Sequence, residues 1–215
     1  MICRDRKIIF VHIPKCGGTS IENVLWPDRA ARSEEDLWGG IVKGMSNRYM
    51  TAGLQHLTAH YIREAVGAEM FAACYRFAVV RDPLRRLVSQ YLYMETRDAL
   101  RRYIGMKRDD SFSVYLDRIA ARDHAQWLPQ VAFVTDADGS LMVDDIHRLE
   151  DISKDVTPLA RRLGLDLATL PHKNNSKSKR RAALTQADVD RVFERYAKDY
   201  ALFGYPMDSH GLVTD

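Results

Sequence analysis

Apolar residues in this chain gather either in short unbroken runs or in stripes of helical spacing, and the two patterns alternate. Ile8-Ile9-Phe10-Val11 contains no polar residue and predicts a buried strand near Lys7–His12. Tyr75-Arg76-Phe77-Ala78-Val79-Val80 predicts a second strand. Each is followed by a helical stretch, one over Thr19–Leu25 and one from Pro83 through about Arg102. Pro83 suits a first helical turn, where its missing N–H costs nothing. Between these units lie an irregular segment from Trp26 to about Thr51, a short extended passage around His60, and a helix over about Ile62–Ala68. Phe112, Val114, Tyr115, Leu116 and Ile119 give Ser111–Arg122 a helical pattern. Val131–Thr135 and Leu141–Val143, separated by Asp136-Ala137-Asp138-Gly139, predict a hairpin. Ser153–Leu163 and Thr185–Tyr200 predict helices, with Thr185 as an N-cap and Asp188 in the first turn. Interleaved strands and helices predict an α/β fold with a mostly parallel sheet flanked by helices. No linker or repeat divides residues 1–215, so a single domain is expected.

Candidate chemistry sits where the first strand ends. Pro14-Lys15-Cys16-Gly17-Gly18-Thr19-Ser20 joins a small-residue turn, a lysine and two hydroxyls at a helix start. Glycines permit a tight turn and leave backbone N–H groups unobstructed. The first helical turn adds unpaired donors and a positive dipole end, which together favour an anion. The pattern differs from a Walker A loop, because Lys15 precedes the glycines and Gly-Lys occurs nowhere in the chain. An ordinary strand-to-helix turn capped by Thr19 or Ser20 is the plainer alternative. Cys16 would suit a phosphatase-type thiolate loop, but Glu22 stands where the closing Arg is needed, so Cys16 reads as a small packing residue.

A second site matches the first. Arg81 lies at the C-terminal end of the second strand, where ligands bind in open α/β sheets. Asp82, Arg85 and Ser89 share one helical face, although a structural Arg81–carboxylate pair accounts for the same residues. Taken together, the two segments resemble the sulfotransferases that use 3′-phosphoadenosine 5′-phosphosulfate (PAPS). The first is similar to their 5′-phosphosulfate loop, and Arg81-Asp82-Pro83 through Ser89-Gln90-Tyr91 is similar to their 3′-phosphate segment. The carbohydrate branch, with the heparan and chondroitin enzymes and bacterial relatives, is the nearer match. Thr58-Ala59-His60-Tyr61, His124 through Pro129-Gln130, Leu149-Glu150-Asp151, Leu170 through Ser176, and Asp199 through Tyr205 extend the resemblance over nearly the whole chain.

The resemblance implies a P-loop-like sulfotransferase fold and transfer of a sulfuryl group from PAPS to an acceptor hydroxyl, expected on a carbohydrate, with PAP as product and no required metal. It implies donor binding by Lys15, Cys16, Gly17, Gly18, Thr19, Ser20, Arg81 and Ser89. It also implies that the basic stretch His172–Arg181, through Asn175, Ser176 and Lys177, covers the donor; a solvated loop is the plainer reading of those residues. Lys15 is expected at the leaving phosphate and His60 as the base, with His56 and His124 as alternative bases and His12 supporting the cradle. His56 and His60, four residues apart, would form a metal pair on a helix, but the H-E-x-x-H pattern is absent.

Composition changes this picture little. Hydrophobic residues are 46%, charged residues 28% and the net charge +3, which fit a globular domain and argue against general nucleic-acid binding. Cys3, Cys16 and Cys74 form no metal-ligand or disulfide pattern. No apolar run reaches the roughly 18 residues of a membrane span, and none resembles a signal peptide. A soluble, cytoplasmic bacterial enzyme is therefore expected. A P-loop nucleotide kinase and a non-catalytic PAP-binding protein of the same fold are the competing functions; the sequence carries no code for the acceptor or the oligomeric state.

Overall fold

The computed structural model describes residues 1–28, 32–39, 51, 53–165 and 182–212. Asn175, Ser176 and Lys177 lie outside the described residues. Among the described residues four strands form one sheet in the order β1 (Ile2–Cys3), β2 (Ile8–Val11), β3 (Tyr75–Val80) and β4 (Asp145–Arg148). The last three run parallel, with Phe10 beside Phe77 and Phe77 beside Asp145; β1 is an antiparallel edge. All four residues of β2 and the last four of β3 are buried, as expected of a parallel sheet covered on its faces. Phe10 and Phe77 stack with ring centroids 4.9 Å apart at its centre.

Helices occupy the connections. α1 (Gly18–Leu25) follows β2; a 3₁₀ turn (Leu54–His56), α2 (Ala59–Val66) and α3 (Ala68–Ala73) lead to β3. α4 (Pro83–Met94), α5 (Asp98–Ile104), α6 (Phe112–Ala120) and the single turn α7 (Val131–Val134) lead to β4. α8 (Leu149–Ile152), α9 (Thr157–Leu163), α10 (Gln186–Arg195) and α11 (Ala197–Phe203) complete the order. The Thr185–Asp188 capping box starts α10 as the sequence predicts.

Four expectations need correction. The helix after Pro83 ends at Met94, because Thr96 folds its hydroxyl onto the Tyr93 carbonyl (3.2 Å) and the following turn tightens. The predicted hairpin is absent: Val131–Val134 is helical, and only Thr135 and Leu141 form a bridge. Asp199 causes this, accepting hydrogen bonds from the Gln130 and Val131 N–H groups at 2.8 and 2.9 Å, as a helix cap would. The Thr185–Tyr200 helix divides at Tyr196, whose buried hydroxyl donates to the Trp127 carbonyl at 2.7 Å. Finally, His60 lies not in an extended passage but inside α2, where the Thr58 hydroxyl accepts the Tyr61 N–H. Ala59 and Ile62 take the buried face of that helix and leave His60 on the exposed one.

Candidate functional site: two turns at the end of the sheet

The chain leaves β2 through a turn that only certain residues can form. Lys15 adopts a left-handed backbone, φ 69°, and Gly17 does so at φ 78°. A Cβ on Gly17 would lie 2.7 Å from a Leu149 methyl, and one on Gly18 would lie 2.1 Å from the His12 ring. Gly17 occupies the N-cap position of α1 with no side chain bonded to the helix end. The exposed Thr19 and half-buried Ser20 stand in that first turn. Their predicted capping role is taken by the glycine, and the residues of the turn line the same cavity as Thr19 and Ser20.

The Arg81 turn, at the end of β3, is fixed by side chains from distant parts of the chain. Gln130, fully buried, accepts the Arg81 N–H at 2.9 Å and donates to the Arg81 carbonyl at 2.8 Å. Asp82 caps α4 by accepting the Arg85 N–H at 2.8 Å, while its own N–H donates to Glu150 Oε1 at 3.1 Å. Tyr205 holds the other Glu150 oxygen at 2.8 Å, and the Tyr200 hydroxyl accepts the Leu84 N–H at 3.2 Å. The two turns also touch. Arg81 Nη1 donates to the Lys15 carbonyl at 3.3 Å, and the Cys16 thiol donates to Gln130 Oε1 at 3.2 Å. Arg86, 1% exposed, donates to the carbonyls of Pro14 and Leu128 at 3.0 and 2.9 Å.

Lys15, Cys16, Gly17, Gly18, Thr19, Ser20, Arg81 and Ser89 all line one cavity of about 1830 Å³. His12 and His56 line it too; His60 and His124 do not. Among the described residues neither Lys15 nor Arg81 pairs with a carboxylate, and Lys15 Nζ rests 4.0 Å from the Tyr93 ring centroid. Burial, reinforced by Arg81 and Arg97, lowers the Lys15 pKa to about 8. Burial pushes the Cys16 thiol up to about 12, so it is a packed donor and not a thiolate at neutral pH.

The histidines separate clearly. His56 Nδ1 donates to the His12 carbonyl at 3.1 Å, which fixes the tautomer and leaves Nε2 with its lone pair. Burial, then the neighbouring His12, holds the His56 pKa well below the usual imidazole value. His12 lies against the Gly18 backbone with Nδ1 2.8 Å from Glu22 Oε1, and its ring is 4.6 Å from that of His56. His60 is 58% exposed at its side chain and faces Glu64 at 3.5 Å. His124 is buried beside Trp127 and accepts the Gln126 N–H at 3.2 Å; burial lowers its pKa to about 4.

A sequence model of the sulfotransferase family matches residues 1–206. The chain belongs to the sulfotransferase family. It is 24% identical to carbohydrate sulfotransferase 10 of Danio rerio over an alignment 246 positions long, which covers 95% of this chain and 66% of that relative. It is also similar in fold to a crystal structure of a sulfotransferase from Alicyclobacillus acidocaldarius, with a TM-score of 0.48 and 14% identity, covering 93% and 96% of the two chains. Among the described residues no helix is long and apolar enough to cross a membrane.

Membership in this family gives a place to the weaker markers of the sequence. Gln130, Glu150, Asp199, Tyr200 and Tyr205 belong to those later segments, and all five hold the Arg81 turn or the elements beside it. Arg86 had no such signal. Its spacing from Arg85 reads as an ordinary charged helix, and only the fold reveals that one guanidinium is exposed and the other buried.

Proposed function

We propose that this chain transfers a sulfuryl group from PAPS to a hydroxyl of a carbohydrate acceptor. The observation that carries the reading is the meeting of Lys15 and Arg81, cations that pair with no carboxylate among the described residues, on adjacent turns of one cavity that also contains His56. Two separated anionic groups suit this pair, and the turn before α1 offers backbone donors where any added Cβ would collide. When bound, the donor supplies an activated sulfuryl group on a phosphate leaving oxygen. Lys15, Gly17, Gly18, Thr19 and Ser20 hold that phosphate, and Arg81 with Ser89 holds the 3′-phosphate.

In the proposed transfer the acceptor oxygen forms a bond to sulfur as the bond from sulfur to the phosphate oxygen breaks. Lys15 stabilises the negative charge that collects on the departing oxygen. The proton of the acceptor hydroxyl passes to His56 Nε2, the nitrogen left open by the bond from Nδ1 to the His12 carbonyl. Glu22 and His12 act as positioning groups, because His12 both contacts Gly18 and presents the carbonyl that orients His56. The name of the Danio rerio relative, a carbohydrate sulfotransferase, supports a carbohydrate acceptor.

Transfer from ³⁵S-labelled PAPS to a panel of glycans, with lipid and phenolic acceptors as controls, tests the reading. His56→Ala is expected to bind PAP nearly normally and to lose on the order of 10²–10⁴-fold in kcat. His60→Ala is expected to stay within about twofold of wild type, since its side chain lies outside the cavity. Because His56 titrates low, wild-type kcat/KM should be flat near neutrality and fall only well below pH 6.5. The opposite ranking of the two variants returns the base to His60, and the absence of sulfated product from every acceptor removes the enzyme reading.

A further inference from the structure

Residues beyond 206, where the family match ends, fold back onto the Arg81 turn. The backbone there is tightly wound: the His210 N–H donates to Asp208 Oδ1 at 3.0 Å, the Leu212 N–H donates to the Ser209 carbonyl at 3.0 Å, and His210 and Gly211 both have positive φ. A left-handed histidine costs energy that its contacts must offset. The contact is specific. His210 Nε2 donates to Asp82 Oδ2 at 3.0 Å, and Asp82 is 1% exposed. Asp208 Oδ2 stands 3.7 Å from the other ring nitrogen. Asp82 is thereby held on both oxygens, by the Arg85 N–H inside the helix and by His210 from outside it. Two residues further on, Leu212 forms part of the cavity wall.

We infer that His210 is a positioning residue for donor binding: by gripping Asp82 it sets the Arg81 turn for the 3′-phosphate and seats Leu212 against the bound nucleotide. The assignment rests on the proposed donor. Asp82 is adjacent to Arg81, so any rotation of the cap carries the guanidinium with it, whereas the Lys15 turn, besides its contact with Arg81, is held by Arg86 on the Pro14 carbonyl and by the close packing of Gly17 and Gly18. The effect should therefore be confined to ligands that carry the second phosphate.

Calorimetric titration of wild type, His210→Ala and His210→Gln with adenosine 3′,5′-bisphosphate and with adenosine 5′-phosphate tests this. His210→Ala should bind the bisphosphate about tenfold more weakly, the worth of one charged hydrogen bond, and the monophosphate within about twofold of wild type. Gln retains an N–H donor and should restore most of the loss. The single-turnover rate at saturating donor should be unchanged, separating KM from kcat. Unaltered bisphosphate affinity in His210→Ala overturns the assignment. So does an equal loss for both nucleotides, or a loss of cooperative unfolding that Gln does not repair, since either marks a merely structural role. A wild type that does not prefer the bisphosphate removes the donor reading itself, and the inference with it.

Discussion

The Lys15 turn and the Arg81 turn present one cation each to the same cavity, yet they are built by opposite means. The first takes its shape from its own backbone, left-handed Lys15 and Gly17 and a Gly18 pressed on the His12 ring, with Gln130 and Arg86 only adding bonds to it from outside. The second has an ordinary backbone and is held by partners far along the chain, Gln130, Glu150 and His210. A locally encoded turn fails when one of its own residues changes. A remotely supported turn fails when something distant is removed, and it fails by degrees.

Substitutions should expose this contrast. Lys15→Ala carries the largest expected effect, a fall in kcat on the order of 10²-fold or more with a smaller change in PAP affinity, because leaving-group charge peaks in the transition state. Single-turnover sulfate transfer measures it, and an unchanged rate takes Lys15 out of the mechanism. Arg81→Ala should cost about 1.5–3 kcal/mol of PAP binding while sparing adenosine 5′-phosphate.

Gln130→Leu attacks the second turn without touching either cation. It removes the partner of the half-buried Arg81 N–H and carbonyl, and of the Cys16 thiol, at up to about 1–3 kcal/mol for each Arg81 group, so urea unfolding should show the loss and PAP affinity should fall with it. Equal stability of this variant and wild type would mean that the Arg81 turn supports itself.

The smallest effect is one of pH. Burial lowers the Lys15 pKa to about 8, and an anionic ligand prefers its charged form. PAP affinity should therefore be full below pH 8 and decline above it, by at most about tenfold per pH unit. Lys15→Arg keeps its charge throughout this range and should flatten the decline, which calorimetry between pH 6 and 9.5 can resolve.

What could be read from the sequence follows the same division. The apolar runs of β2 and β3, Pro83 at a helix start and the small-residue turn are local signals, and the structure contains each of them. β4 carries no such signal, because Asp145-Ile146-His147-Arg148 has a single aliphatic residue; its pairing with β3 comes from the backbone. Val131–Val134 looked like a strand because the carboxylate that makes it helical belongs to Asp199, on another helix. The neighbours of His60 in sequence point to it as the base, but Thr58 begins a helix that turns it outward, while His56, which lines the cavity together with His12, lies one 3₁₀ turn earlier.

The strand register has a consequence for how the protein folds. Ile8 pairs with Tyr75, and Phe77 pairs with Asp145, so each parallel contact closes a long loop of chain. Such topologies fold slowly, because loop-closure entropy is lost before the pairing compensates for it. Neither turn has its full set of neighbours until the sheet has closed across all of this distance. A nucleotide that spans both turns thus recognises the finished sheet and not a preformed loop. At a hundredfold excess over its Kd it would add about 2.7 kcal/mol to the stability of the whole domain. Thermal unfolding with and without PAP is then an assay of sheet completion, sensitive to chains that have collapsed without threading β3 between β2 and β4.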